Sequence, residues 1–223
     1  MTAGILATVS SACPYSVGFR ATVAVMENGA APSAKARSLS PDAVVAAALE
    51  IADEEGIPAV TLARVARRLG CHVTSLYTHV SSIDDLHRRM ALVSQAALAQ
   101  QLWEAALGRS GVDGLHALAG VYRSFAGAHP LRARLLFVAP SGSDPEFEEG
   151  GRRLAEPIRA TLRGFGLDEN RVRHSHRAFT AAMRGFMLAE AHGSYASGEA
   201  DETFERLVDL FVVAMATGDW PKA

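Results

Sequence analysis

Four side chains that can read hydrogen-bond donors and acceptors, Thr74, Ser75, Thr78 and His79, lie close together in a segment that contains no acid. A helix over 73–79 turns Leu76, Val80 and part of Tyr77 inward and leaves those four groups outward. Short hydroxyls and an imidazole on an acid-free helix suit a major groove, where each base pair presents its own pattern of donors and acceptors. Upstream, Arg64, Arg67 and Arg68 form a local basic patch, with Arg64 projecting outward as a phosphate contact. A neutral helical hairpin packed into some other bundle is the alternative reading of the same residues.

Covalent chemistry finds no comparable cluster. The chain has no HExxH, no paired-cysteine motif, no GxGxxG, no phosphate loop and no GxSxG elbow. A di-iron bundle needs Glu-x-x-His pairs on two helices, and the nearest approach is a single Asp84 with His87. His174 and His176 are two apart and face different directions on a helix. The expectation is a protein that is not an enzyme, with no cofactor and no metal.

The elements that must position the hydroxyls are marked by their ends. Leu62, Val65, Ala66 and Leu69 recur at i, i+3, i+4 and i+7, one face of a helix over 62–69. Gly70 ends it, and the small Ala66 lets the next helix cross closely. Ser40-Pro41-Asp42 starts a preceding helix over 41–55, with Val44, Val45, Ala48, Leu49 and Ala52 on one face and Gly56 closing it. Thr61 caps the second helix. Ser82 with Asp85 starts a fourth, carrying Leu86, Met90, Val93 and Ala97 to about residue 107. Cys71 lies in the turn and is read as a small hydrophobe, the alternative being a redox-sensing thiol.

From residue 41 to about 92, GIPAVTLARVARRLGCHVTSLYTHVSSIDDL and its flanks resemble the N-terminal DNA-binding domain of the TetR family of bacterial transcriptional regulators. The resemblance rests on Gly56-Ile57, Thr61, Ala66, Leu69-Gly70, Leu76-Tyr77, His79 and the helix start at Ser82. It implies that Thr61 offers its hydroxyl or backbone N–H to a phosphate, besides capping. It also implies that Tyr77 and His79 touch the sugar–phosphate backbone, the alternative being packing against the fourth helix. Ile83 stands where many relatives carry a phosphate-binding lysine, and His72 replaces the usual small cap. Arg184-Gly185-Phe186 with Ala191-His192-Gly193 is similar to one C-terminal subtype, which usually has His-Gly in place of Arg184-Gly185. The fold implied is all-α, a three-helix helix-turn-helix domain joined to a helical bundle.

Beyond residue 107 the pattern continues as helices over 112–128, 131–138, 145–165, 168–195 and 202–217. One stripe of the fourth of these holds Phe179, Met183, Phe186, Met187 and Glu190, beside a row of small residues, Ala178, Ala181, Ala182, Gly185 and Ala189. The last two helices carry more apolar surface than one subunit needs, which predicts a four-helix bundle across a two-fold axis. An effector pocket between the middle helices has Phe125, His129, Phe137, His176, Phe179, Met183 and Met187 as candidate walls, or as ordinary core. The domains expected are a disordered leader over 1–39, a DNA-binding domain over 40–86 and a ligand-binding and dimerisation domain over 108–223.

Composition sets the outer bounds. Of 223 residues, 49% are hydrophobic and only 7% aromatic, which suits an all-helical protein. The net charge of -2 excludes a globally basic nucleic-acid binder, so affinity for DNA must be local. Two cysteines, Cys13 and Cys71, make no disulfide framework and fit a reducing cytoplasm. No apolar run approaches the roughly 20 residues that span a bilayer, so no membrane partner is expected. Met26 opens MENGAAPSAKARS, which reads as an alternative start, and Lys35 and Arg37 form either a basic arm or a solvated tail. The expected partners are a palindromic double-stranded operator, an unidentified small-molecule effector and a second copy of the chain.

Overall fold

A computed structural model describes residues 39–136, 143–196 and 198–217. These fold as helices: α1 (Pro41–Glu55), α2 (Leu62–Leu69), α3 (Val73–Leu76), α4 (Ile83–Ala106), α5 (Gly111–Ala128), α6 (Pro130–Leu135), α7 (Pro145–Arg163), α8 (Glu169–Ala191) and α9 (Glu199–Thr217). No strand occurs among the described residues. The leader, with Cys13, Lys35 and Arg37, lies outside the described residues, as does Phe137.

Side-chain caps start most of these helices by accepting otherwise unpaired first-turn N–H groups. Ser40 accepts from Ala43 at 3.1 Å, Thr61 from Arg64 at 3.2 Å and Ser82 from Asp85 at 3.0 Å. Asp144 accepts from Phe147 at 3.1 Å and Asp168 from Arg171 at 2.9 Å. Gly70 ends α2 at φ 67°, a left-handed conformation in which a Cβ is strained.

Two clusters of buried side chains form. The first gathers the α1 face with Val65, Ala66, Leu76, Val80, Leu86 and Met90, and it takes in Leu135 from α6. The second gathers Leu98, Leu102, Leu115, Leu118, Ile158 and Phe179 with their neighbours. α4 runs through both, and between its two apolar ends it buries Ser94 and Gln95. The Ser94 hydroxyl donates to the Met90 carbonyl at 2.7 Å. Gln95 lies against Gly150 of α7, where any Cβ would overlap its side-chain oxygen, so the glycine permits the close approach of α4 and α7.

Several boundaries differ from the sequence expectation. The reading helix ends at Leu76 rather than residue 79, and Tyr77, Thr78 and His79 form a turn. His79 and Val80 N–H groups close that turn onto the Leu76 carbonyl at 2.8 and 2.9 Å. α6 begins at Pro130 and stops at Leu135, while α8 stops at Ala191, followed by Gly193 at φ 68°. α9 starts earlier, at Glu199. Val93, expected on the buried face of α4, is 44% exposed.

Candidate functional site

The hairpin is built on its buried positions. Val65, Ala66 and Leu76 are almost fully buried, and Cys71, half-buried with a free thiol, donates its N–H to the Ala66 carbonyl at 3.0 Å. With those positions fixed, Thr74 and Thr78 face solvent and Ser75 is half-buried. The Thr78 hydroxyl donates to the Ser75 carbonyl at 2.7 Å, which leaves its oxygen lone pairs outward as an acceptor. Tyr77 is 57% exposed, so its ring projects from the surface instead of filling the core against α4. His79 is half-buried beside it. Thr61 caps α2 with its oxygen and still has a hydroxyl proton to give.

The basic patch is not as free as the sequence suggests. Arg64 is paired with Glu55, and Arg68 is paired with Glu54 and lies 3.5 Å from Glu50, all three acids on α1. The Arg68 guanidinium holds the Glu54 carboxyl below its usual range, and Arg68 itself is raised in return. Arg67 is exposed and makes no ion pair among the described residues. Sequence spacing cannot reveal this pairing, because it depends on how α2 crosses α1.

One further acid at the same end of α1 faces the rest of the molecule. Asp53 accepts from Arg132 of α6 at 2.5 and 2.9 Å, and the His129 ring nitrogen Nδ1 lies 3.5 Å away. Arg132 is thus clamped to the element that carries Glu54 and Glu55. Leu135, three residues on, is buried in the same cluster as the α1 face. Arg88 of α4 pairs with Asp144, the cap of α7, and with Glu146 at 2.8 Å.

A cavity of about 480 Å³ opens between the end of α5, α6 and α8. Its apolar walls include Ala126, Leu131, Ala133, Met187, Leu188 and Ala191. Its charged or polar lining consists of Arg134, Arg184 and His192, whose Nδ1 donates to the Leu188 carbonyl at 2.7 Å. A smaller cavity of about 270 Å³ adjoins it and adds Glu190, whose carboxylate is held by Arg123 at 2.5 Å. Arg123 also lies over the Phe204 ring at 4.8 Å, tying α5, α8 and α9 together.

Among the described wall residues expected from sequence, Met187 alone lines these cavities, and Phe137 lies outside the described residues. Phe125, Phe179 and Met183 are core, with Phe179 edge-on to Tyr122 and Phe211 at 6.4 and 5.5 Å. His129 faces Asp53 and meets Phe125 edge-on at 5.4 Å. His176 is half-buried, and burial, followed by Arg159, Arg177 and Arg184, lowers its pKa to about 4, so it is neutral at neutral pH. Burial pushes the Tyr122 phenol up to about 12. The residues that sequence reading missed, Leu131, Arg134, Leu188 and His192, lie on surfaces whose role depends on tertiary packing.

Opposite its core stripe, α8 exposes Leu188, and α9 exposes Leu210 and Val213. Gly185 has no neighbour within 4 Å that a Cβ would meet. Among the described residues no three His, Cys, Asp or Glu side chains converge as metal ligands, and no helix is long and apolar enough to cross a membrane.

Residues 115–211 match the family model described as Tetracyclin repressor-like, C-terminal domain. The chain is 33% identical over 176 residues to the uncharacterized HTH-type transcriptional regulator Rv0681 of Mycobacterium tuberculosis, covering 78% of this chain and 81% of that protein. Among solved structures, a protein of unknown function from Rhodococcus sp. RHA1 is similar with a TM-score of 0.71 and 21% identity, over 82% of this chain and 100% of that one. A TetR variant from Acinetobacter baumannii AYE in complex with minocycline is similar with a TM-score of 0.63 and 21% identity, over 82% and 99% of the two chains. Those structures share the fold, while the sequence identity to the mycobacterial regulator reaches further. With the helix-turn-helix geometry at one end and the matched C-terminal bundle at the other, the chain belongs to the TetR family of transcriptional regulators.

Proposed function

We propose that the protein is a homodimeric repressor that binds a palindromic operator and is released by a small molecule in the α5–α6–α8 cavity. In this reading residues 40–86 form the DNA-binding domain, α4 links it onward to about residue 107, and 108–223 bind ligand and dimerise. Thr74, Ser75 and Thr78 meet base edges, while Thr61, Arg64, Tyr77 and His79 meet the sugar–phosphate backbone. Exposed Leu188, Leu210 and Val213 pair across the two-fold axis. The protein works in the cytoplasm.

The observation that carries this reading is the double engagement of α6. Its Leu131, Ala133 and Arg134 line the cavity, and its Arg132 and Leu135 grip α1. A ligand that prefers one position of α6 therefore favours one position of the reading head, by no more than its differential affinity for the two states.

A second reading, a helical small-molecule binding protein without DNA readout, is favoured by the capture of Arg64 and Arg68 by α1 acids. A gel shift against the DNA upstream of the protein's own gene, run across a salt series, separates the two. A regulator retards one palindrome, with a salt slope that counts several phosphates. A shallow slope with no preferred sequence supports the second reading.

A further inference from the structure

We propose that the α5–α6–α8 cavity takes an apolar molecule bearing one carboxylate, with its carbon skeleton against the α6 and α8 walls and its carboxylate at Arg134. This rests on the effector-site reading above. Among the described residues the lining is apolar except at Arg134, Arg184 and His192, all of basic type. No acidic side chain among the described residues lines the larger cavity. The one carboxylate nearby, Glu190 in the adjoining smaller cavity, is already held by Arg123.

Charge decides which head group such a site accepts. Arg134 is exposed, makes no ion pair among the described residues and lies on the lining of an apolar concavity, so its guanidinium can meet an anion in a bidentate pair. An ammonium in the same place faces the Arg134 guanidinium and meets no carboxylate in the described lining. A hydroxyl accepts a hydrogen bond from the guanidinium but brings no opposite charge and cannot make the two parallel bonds that a carboxylate makes. The apolar remainder of the molecule is held by burial, which is indifferent to the head group. The volume of about 480 Å³ falls in the range of pockets that enclose small organic ligands.

The test is calorimetry on the purified full chain, without DNA, using two sets of probes that differ only in the head group. One set is decanoate, decanol and decylamine. The other is 1-naphthylacetate, 2-(1-naphthyl)ethanol and 2-(1-naphthyl)ethylamine. In at least one set the carboxylate is expected to bind about tenfold or more tightly than both partners. Arg134→Glu is expected to abolish that preference and Arg134→Lys to retain it, with melting temperatures confirming that both variants fold. The proposal is overturned if neither carboxylate binds, if an alcohol or amine binds as tightly in both sets, or if Arg134→Glu leaves the preference intact. Adding operator DNA separates this from the functional reading. A carboxylate that binds but never releases DNA sinks the repressor mechanism alone, and alcohols that bind as tightly as their carboxylates in both sets and release DNA sink the carboxylate assignment alone.

Discussion

At the scale of single residues, the proposed phosphate contact of Arg64 requires it to exchange partners. Its ion pair with Glu55 joins side chains that are 41% and 36% exposed, and pairs in water contribute only about 0–1 kcal/mol. A phosphate, itself part of a dense array of negative charge, displaces such a partner readily. Glu55→Gln should therefore strengthen operator binding, while Arg64→Ala should weaken it and reduce the salt slope by about one. Fluorescence anisotropy over a salt series checks both, and identical slopes for Arg64→Ala and the parent would remove Arg64 from the interface. Asp144 gives a prediction of another kind. Arg88 holds its carboxyl down to about 2, from an ordinary 3.8. A lowered native pKa stabilises the fold fully above the ordinary value, and this contribution is lost as pH falls from about 4 to about 2. Thermal melts between pH 5 and pH 2.5 should fall more steeply for the parent than for Asp144→Asn.

At the scale of elements, α6 is too short to be stable alone, and its position is set by what it grips. Asp53→Asn or Arg132→Ala breaks its polar hold on α1 but leaves the cavity walls in place. Either variant should bind an effector with affinity within about threefold of the parent, yet lose about tenfold or more of the effector's ability to release DNA. Calorimetry and a competition gel shift measure the two halves, and undiminished release would show that α6 is not the connection. This scale also separates what the sequence makes legible from what it does not. Helix starts were readable because Ser40, Thr61 and Ser82 satisfy first-turn N–H groups within three residues, a strictly local bargain. The end of α3 was not, since no glycine or proline marks it and the chain leaves the helix through a turn at Tyr77. Phe179 and Leu188 read alike in a periodic pattern, yet one is wholly buried and the other lines a cavity. That difference is made by which helices lie alongside. The pairing of Arg64 and Arg68 with α1 was hidden for the same reason.

At the scale of the whole molecule, two apolar helices at the end of the chain leave Leu188, Leu210 and Val213 uncovered, each more than half exposed. In the proposed dimer these side chains meet their counterparts, and an unpaired carboxylate among them is costly. Leu210→Glu should raise the dimer dissociation constant by about a hundredfold or more, seen by sedimentation, and weaken operator binding in step. Melting of the isolated subunit should change little, because Leu210 is 68% exposed there. α4 gives this assembly a property of its own. Its 24 residues make a rod about 36 Å long, rooted in the second core and carrying the first at its far end. A rod of that length is a lever: tilting its root by about 5° swings the tip by about 3 Å, and the twin in the other subunit doubles the change to about 6 Å. Consecutive half-sites lie about 34 Å apart along the duplex, so the mismatch amounts to about a sixth of a turn. In the proposed dimer a tilt of a few degrees at that root is thus large enough to carry two fingertips out of their grooves.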